Sequence, residues 1–546
     1  MPEESVRPLE RGLAVLRALA VADQVRAGDL VRATGLARST VDRVVATLVR
    51  IGYVREHGQE LRLTPRLMEL GNAYLAASGL SGEVAARTAR LADDLDESVS
   101  LAVPDGDGVR FVTQAARRRA MSVAFRIGDL LPAERCAPGA LFAAEWDEAA
   151  WAAWRARLAA DPAGEAFPAL PPGPASPPPD LADRVERSRV TGWALDDQLI
   201  EPGLIATAVP VRDAAGRVRY ALSAVSHTSR HTAEGLAELV LPRLRAEAAH
   251  LESLPAAQLP GGSKQVTEAH EDLPRERPGD AKAELGPGYL QSLARGLTVL
   301  RALGAARGDG LPLTAIAAAT DLPRATARRC LHTLELQGYA AHDGRLYRPL
   351  PRILELGHAR LSGLGFADIA DPHLRQLTAR VHQSASVTVL DGTDILYVAR
   401  AATTRVMSVY ITPGTRFPAY PTAMGRVLLA GLPQRDRARV LEAAPPRPLT
   451  RRTVTDPAAL ERLLDRAAAD GYATADEELE EGLRSVAVPL KDARGRVVAA
   501  LNVAQHAGNA PLEATVDALL PALRGTAAAI ETDLHTAARF NGVPMP

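Results

Sequence analysis

Leu322–Tyr339, LPRATARRCLHTLELQGY, decides the fold, because it reads as one helix with a buried stripe and an arginine-rich open side. Ala327, Cys330, Leu331 and Leu334 fall at i, i+3, i+4 and i+7, the spacing that aligns side chains on one helix face. Arg324, Arg328 and Arg329 are left to the other side. A near copy, LARSTVDRVVATLVRIGY, stands at Leu36–Tyr53, with Val41, Val44, Val45 and Leu48 as its stripe. Arginine, serine and threonine in the first turn suit a helix lying in a DNA major groove, where amides and arginines meet phosphates and short polar groups reach bases. The candidate DNA contacts are Arg38, Ser39, Thr40 and Arg43 in one copy and Arg324, Thr326, Arg328 and Arg329 in the other. An ordinary solvated helix face is also arginine-rich, so the flanking elements have to decide between the two readings.

They repeat as well. RGLAVLRAL (Arg11–Leu19) returns as RGLTVLRAL (Arg295–Leu303), and a second short helix is expected at Asp29–Thr34 and Ala315–Thr320, ended by Gly35 and by Asp321. After each recognition helix, Gly52 or Gly338 supplies a helix stop. YVREHGQELRL and YAAHDGRLYRP then alternate as hairpins, the second around Asp343-Gly344. Helix, helix, recognition helix and hairpin in that order make a winged helix-turn-helix, found twice. Arg55, Arg62, Arg345 and Arg348 are the wing arginines. RLMELGNAYLAAS (Arg66–Ser78) and RILELGHARLSGL (Arg352–Leu364) are expected to be linker helices. Strands follow near Ser98–Val103, Val109–Gln114 and Met121–Phe125, and near Ala385–Leu390, Ile395–Ala399 and Met407–Ile411. Two more β-rich segments in each half close an antiparallel sheet. The fold class is therefore α+β: two winged helix-turn-helix domains, each followed by an α/β domain with an antiparallel sheet. The expected bounds are 7–65, 66–253, a linker over 254–288, 289–350 and 351–540. Pro168–Pro179 reads as an extended loop, and the linker as a flexible tether reaching roughly 30 Å.

Composition bounds the function. The 546 residues are 47% hydrophobic but only 4% aromatic, so the cores rest on Ala, Leu and Val. The net charge of -1 excludes a uniformly basic nucleic-acid binder, yet from Arg7 to Arg66 eleven arginines meet only six carboxylates. Lysine occurs only at 264, 282 and 491, which favours bidentate arginine contacts or simply reflects GC-rich coding. Two cysteines, Cys136 and Cys330, make neither a disulfide framework nor a thiolate metal site, and no cofactor is expected. Met1–Glu10 is polar and no apolar run reaches membrane length, so a cytoplasmic protein with no membrane contact is expected.

With these motifs, and with MSVYITPGTRFPAYPTAMGRVLLAGLP, RTVTDPAAL and GYATADEELEEGLRSVAVPLKD, the chain resembles the IclR family of bacterial transcriptional regulators, as two fused copies covering nearly its whole length. The second half is similar in particular to regulators of β-ketoadipate and other aromatic-acid catabolism within that family. The resemblance implies a cup-shaped effector domain that binds a small organic acid, aromatic or dicarboxylic. Carried over by position, the cup would be lined by Met407, Ala423, Met424, Ser485, Asn502 and Ala504, with Arg484 as a candidate carboxylate partner. Ser485 and Asn502 are hydrogen-bonding groups in otherwise apolar strands, which suits a small polar ligand and equally suits a satisfied structural role. In the first half Cys136, Pro138 and Ala140 stand opposite Thr422, Met424 and Arg426, and Ile205 and Ala206 replace Arg484 and Ser485. Loss of these polar groups points to a degenerate first cup that binds a different ligand or none.

The expected function is a ligand-responsive DNA-binding regulator acting as a fused pseudo-dimer. Its partners are operator DNA, asymmetric because Ser39-Thr40 with Asp42 faces Ala325-Thr326 with Arg328, then a small organic acid and possible further copies of the chain. A ligand-independent architectural DNA binder is the first alternative. An enzyme acting on a small organic acid is the second, disfavoured because no nucleophile elbow, P-loop, dinucleotide fingerprint or HExxH occurs and no catalytic residue stands out.

Overall fold

The computed structural model describes residues 5–21, 25–80, 82–117, 125–170, 180–253, 288–306, 310–403, 411–508 and 511–540. The proline-rich 171–179, the linker 254–287, Met407 and most of the strands expected at Met121–Phe125 and Met407–Ile411 lie outside the described residues. The chain divides into two compact units, 1–363 and 364–546.

The first unit holds both winged helices. In the first, helices Arg7–Val21, Ala27–Thr34 and Arg38–Arg50 precede strands Val54–His57 and Glu60–Leu63. The second repeats this with Gln291–Ala302, Leu313–Ala319, Arg324–Leu336, Ala340–His342 and Leu346–Pro349. The expected stripes are the cores: Val41, Val44 and Leu48, like Ala327, Leu331 and Leu334, are fully buried. The turn before each recognition helix is left-handed, at Gly35 (φ 66°) and at Asp321 (φ 51°), as the difference in residue type permits. Each wing is larger than a hairpin. A two-residue strand ahead of the second helix, Val25–Arg26 or Leu311–Pro312, pairs with the inner wing strand and makes a three-stranded sheet.

The linker segments differ although their sequences match. Met68–Ala77 is a continuous helix, with Gly71 inside it. The second copy instead forms a 3-10 turn over Pro351–Leu356, breaks at Gly357 (φ 112°), and resumes only as His358–Leu361. This corrects the expected second linker helix. The same glycine that a helix tolerates also permits the left-handed break, so one sequence serves two conformations.

The first unit continues into an antiparallel sheet of six strands, in spatial order 130–132, 108–115, 98–105, 218–227, 204–212 and 194–197. Helices Gly82–Leu95 and Ala233–Ser253 cover one face, and Ala137–Ala143 packs on the other beside Leu181–Thr191. The second unit carries the same sheet, ordered 416–418, 394–401, 384–391, 497–506, 483–491 and 473–476. Phe366–Val381 and Leu512–Ala538 lie on one of its faces, and Ala423–Ala430 lies on the other with Pro457–Asp470 behind it. Helices thus cover both faces of each sheet, which explains strands buried on both sides, such as Ser98–Val103. Among the described residues, no helix is long and apolar enough to cross a membrane.

Candidate DNA-reading and effector sites

Each recognition helix buries its stripe and turns its basic side outward. Arg38, Ser39 and Arg43 are exposed and Thr40 is half-buried; Arg324, Arg328 and Arg329 are exposed and Thr326 is half-buried. The two faces differ in charge. Arg38 Nε is paired with Asp42 Oδ1 at 2.9 Å, four residues on, whereas Arg328 occupies the position of Asp42 in the second helix. One carboxylate is therefore exchanged for a cation on the exposed side of the helix, the side expected to meet phosphates and bases.

The two winged helices meet through contacts that occur in reciprocal pairs. A Cβ at Gly12 would lie 2.2 Å from Leu293 Cδ1, and one at Gly296 would lie 2.5 Å from Leu9 Cδ1. Leu9 and Gly12 correspond to Leu293 and Gly296 in the repeat, so the first helices cross at glycines that each accept the other's leucine. The Val6 amide donates to Thr333 Oγ1 at 2.8 Å, and its counterpart, the Leu290 amide, donates to Thr47 Oγ1 at 3.0 Å. Arg17 pairs with Glu355 at 3.7 Å, and its counterpart Arg301 pairs with Glu69 at 3.0 Å. Residue i touching j′ while i′ touches j is the signature of an isologous, two-fold contact, here made within one chain.

In the second sheet, register assigns the faces. Ser386 lies opposite Arg400 on one side and Asn502 on the other, and Asn502 lies opposite Ala487. Ala487 and Ala500 belong to the cluster built around Ala423, Met424 and Val427, so Arg400, Ser386, Asn502 and Ser485 share the face that carries helix Ala423–Ala430. Ala504 shares it, opposite Ser485. The structure thus brings together Ala423, Met424, Ser485, Asn502 and Ala504, and Met407 lies outside the described residues. Arg484 does not join them. It stands on the opposite face, its Nε 2.6 Å from Asp476 Oδ1 and its Nη1 3.2 Å from Thr515 Oγ1 of the C-terminal helix. Adjacent strand residues point to opposite faces, so Arg484 and Ser485 cannot line one cup. Among the described strand residues, Arg400 is the cation on the cup face, and it donates to the Ile411 carbonyl. A register shift between Val387 and Thr388 sets its facing, a feature strand alternation alone does not reveal.

Arg426 has a different task. Buried to 3% exposure, it forms a bidentate pair with Glu478, one arm at 2.7 Å, and also donates to the Tyr420 and Thr474 carbonyls. In the first domain Ala140 and Leu199 take both positions. The missing arginine there is one half of an ion pair replaced by apolar residues, a swap that cores accept, and it does not indicate a lost ligand group. The first domain ties its corresponding loop with Glu134, which receives Arg157 at 2.7 Å twice and Trp154 Nε1 at 3.0 Å. Although burial opposes it, the paired guanidinium and indole hold the Glu134 carboxyl below its usual value. Asp196 is the opposite case. Fully buried, it accepts the Leu199 amide on Oδ1 at 2.8 Å while Oδ2 finds no partner, and burial pushes its carboxyl up to about 7.

Family models match this arrangement twice over. The IclR helix-turn-helix domain matches residues 8–58 and 292–344, and the bacterial transcriptional regulator IclR C-terminal domain matches 72–252 and 358–532. The chain belongs to the IclR family of bacterial transcriptional regulators. It carries the IclR domain pair in tandem. It is 44% identical over 238 residues to the Pca regulon regulatory protein of Pseudomonas putida, covering 43% of this chain and 81% of that one. It is 34% identical over 243 residues to the Pca operon regulatory protein of Acinetobacter baylyi, covering 44% and 87%. The p-hydroxybenzoate hydroxylase transcriptional activator of the same organism is 32% identical over 244 residues, covering 44% and 90%. Each relative thus corresponds to under half of this IclR chain, as a duplicated protein requires.

Proposed function

We propose that this IclR chain is an effector-responsive transcription factor whose two winged helices act as a built-in pseudo-dimer on an asymmetric operator. The observation that carries the reading is the set of reciprocal contacts between the winged helices, Leu9 on Gly296 with Leu293 on Gly12 above all. In a dimeric helix-turn-helix protein such a contact spaces two recognition helices about one DNA turn apart. Here the helices it holds are unequal, Asp42 in one and Arg328 in the other, so the two half-sites differ.

The effector is a small organic acid, bound in the second domain by Arg400, Ser386 and Asn502 beside Met424. A cation and two neutral hydrogen-bonding groups in an apolar wall suit a carboxylate on a small, mostly apolar body. The names of the relatives, tied to Pca genes and to p-hydroxybenzoate hydroxylase, support an aromatic acid. The protein acts by binding, not by turnover. Ligand alters operator affinity to the extent that it binds one conformation more tightly than another.

Footprinting of the full-length protein on its operator, with and without 4-hydroxybenzoate, tests this. Two protected half-sites of different sequence, with protection changed by the acid, are the expected result. A perfect palindrome read equally by both helices contradicts the asymmetric reading, and protection indifferent to every aromatic acid tried contradicts the effector reading.

A further inference from the structure

We propose that the first sheet holds a second ligand site, formed by Gln114, Ser100 and Ser223, that takes a small uncharged hydrogen-bonding molecule. This deepens the effector reading only in using the same sheet face; its ligand and its test are separate.

The site follows from register. Ser100 lies opposite Gln114 on one side and Ser223 on the other. That row is the counterpart, strand for strand, of Ser386 between Arg400 and Asn502. It shares its face with Ala102, Ala208 and Ala221, the apolar cluster under helix Ala137–Ala143. The groups present are therefore an amide and two hydroxyls where the second domain has a cation, a hydroxyl and an amide.

Their hydrogen-bonding capacity is unused. Ser100 is 0% exposed and Ser223 2%, and Ser100 Oγ, Ser223 Oγ and both Gln114 amide atoms are buried without a partner. Four such atoms in one row are unusual, because buried polar groups are nearly always satisfied and cost stability when they are not. A ligand bearing both donor and acceptor, such as a carboxamide or an alcohol, satisfies all three side chains, since each can donate and accept. An aromatic wall adjoins the row: Phe111, opposite Ala102, stacks on Phe125 with centroids 4.5 Å apart. That favours a flat ring carrying the polar group.

Among the described residues, charge opposes an acid. The row contains no cation, and Asp196, buried on the same face opposite Ala206, adds a carboxyl. Arg184, which lies close enough to favour the Asp196 carboxylate, is committed to the Glu134 and Cys136 carbonyls at 2.7 Å each. Among the described residues, a carboxylate entering here gives up its water without meeting a free cation. The fused chain would then answer to two compounds of different charge, one in each half.

Matched probes separate the sites. In isothermal titration calorimetry of the full-length chain, benzamide should bind one site per chain, weakened roughly tenfold or more by Gln114→Leu or Ser100→Val and unchanged by Arg400→Gln. Benzoate should show the reverse. Gln114→Arg should add a second benzoate site per chain. Far-UV circular dichroism and melting of each variant establish that it is folded, and Ser223→Ala serves if Ser100→Val is not. Absence of benzamide binding, benzamide affinity that follows Arg400, or Gln114→Arg without new benzoate binding each overturns the proposal. Loss of the benzoate site alone overturns the acid-sensing reading and leaves this one standing.

Discussion

Leu293 lies so close over Gly12 that a Cβ there would sit 2.2 Å from its Cδ1. A side chain at either glycine would have to displace the leucine that rests on it. Leu9 over Gly296 repeats it, so the contact between the winged helices depends on two glycines far apart in sequence.

Gly12→Leu should therefore overpack the crossing and cost about 1–3 kcal/mol. Thermal melting should fall and operator affinity should fall with it, as the two readers lose their spacing. Gly28→Ala is the control, because nothing lies within 4 Å of a Cβ at that position. Equal behaviour of the two variants would remove the crossing from the account of DNA binding.

On the recognition helices, Arg43→Ala and Arg329→Ala should each weaken operator binding and flatten its salt dependence by about one unit of slope if the side chain meets a phosphate. Asp42→Arg should do the opposite. It removes the carboxylate that pairs with Arg38 at 2.9 Å and makes the first helix resemble the second. Fluorescence anisotropy on operator DNA across a salt series measures all three.

Arg426→Ala should destabilise the second effector domain by about 3–5 kcal/mol, because it strands the buried Glu478 carboxylate. Arg426→Ala combined with Glu478→Leu copies the Ala140 and Leu199 of the first domain and should recover most of that loss. Urea melts of the two variants decide it. If the double variant is no more stable than the single one, the pair is not a self-contained unit.

Asp196 gives a pH dependence. Its folded-state carboxyl is raised to about 7 from an ordinary 3.8, so the folded protein holds a proton that the unfolded chain releases earlier. The stability this confers is present below about pH 4 and is lost as pH rises toward 7. Asp196→Asn keeps an acceptor for the Leu199 amide and avoids the charge. It should raise the melting temperature at pH 8 and flatten the decline between pH 4 and 7; an unchanged profile would show that Asp196 is solvated.

The helix-turn-helix pair was legible because it rests on local rules: a stripe at i, i+3, i+4, i+7, a helix stop at Gly52 and Gly338, and a turn at Asp343-Gly344. Duplication made each motif readable twice. The effector cup was legible only in part. Ser485 and Asn502 stood out as polar residues among apolar ones, and the structure does put them on one face. Arg484 shows where the reading lapsed, since a neighbour of Ser485 in a strand must face away from it. Arg400 was hidden for a better reason: the extra residue Val398, opposite the Val387–Thr388 step, resets the parity of its strand, and nothing local in the sequence marks it. Ser100, Gln114 and Ser223 carry no individual signal. They emerge only when cross-strand register lines them up with Ser386, Arg400 and Asn502. The break at Gly357 has no sequence signal at all, because Gly71 occupies the same position within a continuous helix.

The reciprocal contacts also bear on how such a protein can change. In a dimer of identical chains, any substitution at a crossing like Gly12 with Leu293 appears on both sides at once, and so does any substitution in a reader or a sensor. Joined in one polypeptide, the copies inherit substitutions singly. Asp42 can face Arg328, and Gln114 can stand in for Arg400, without the matching half being altered. A symmetric regulator has no front or back on its promoter, whereas one whose halves have drifted apart in this way would, acting as the proposed pseudo-dimer, acquire a heading.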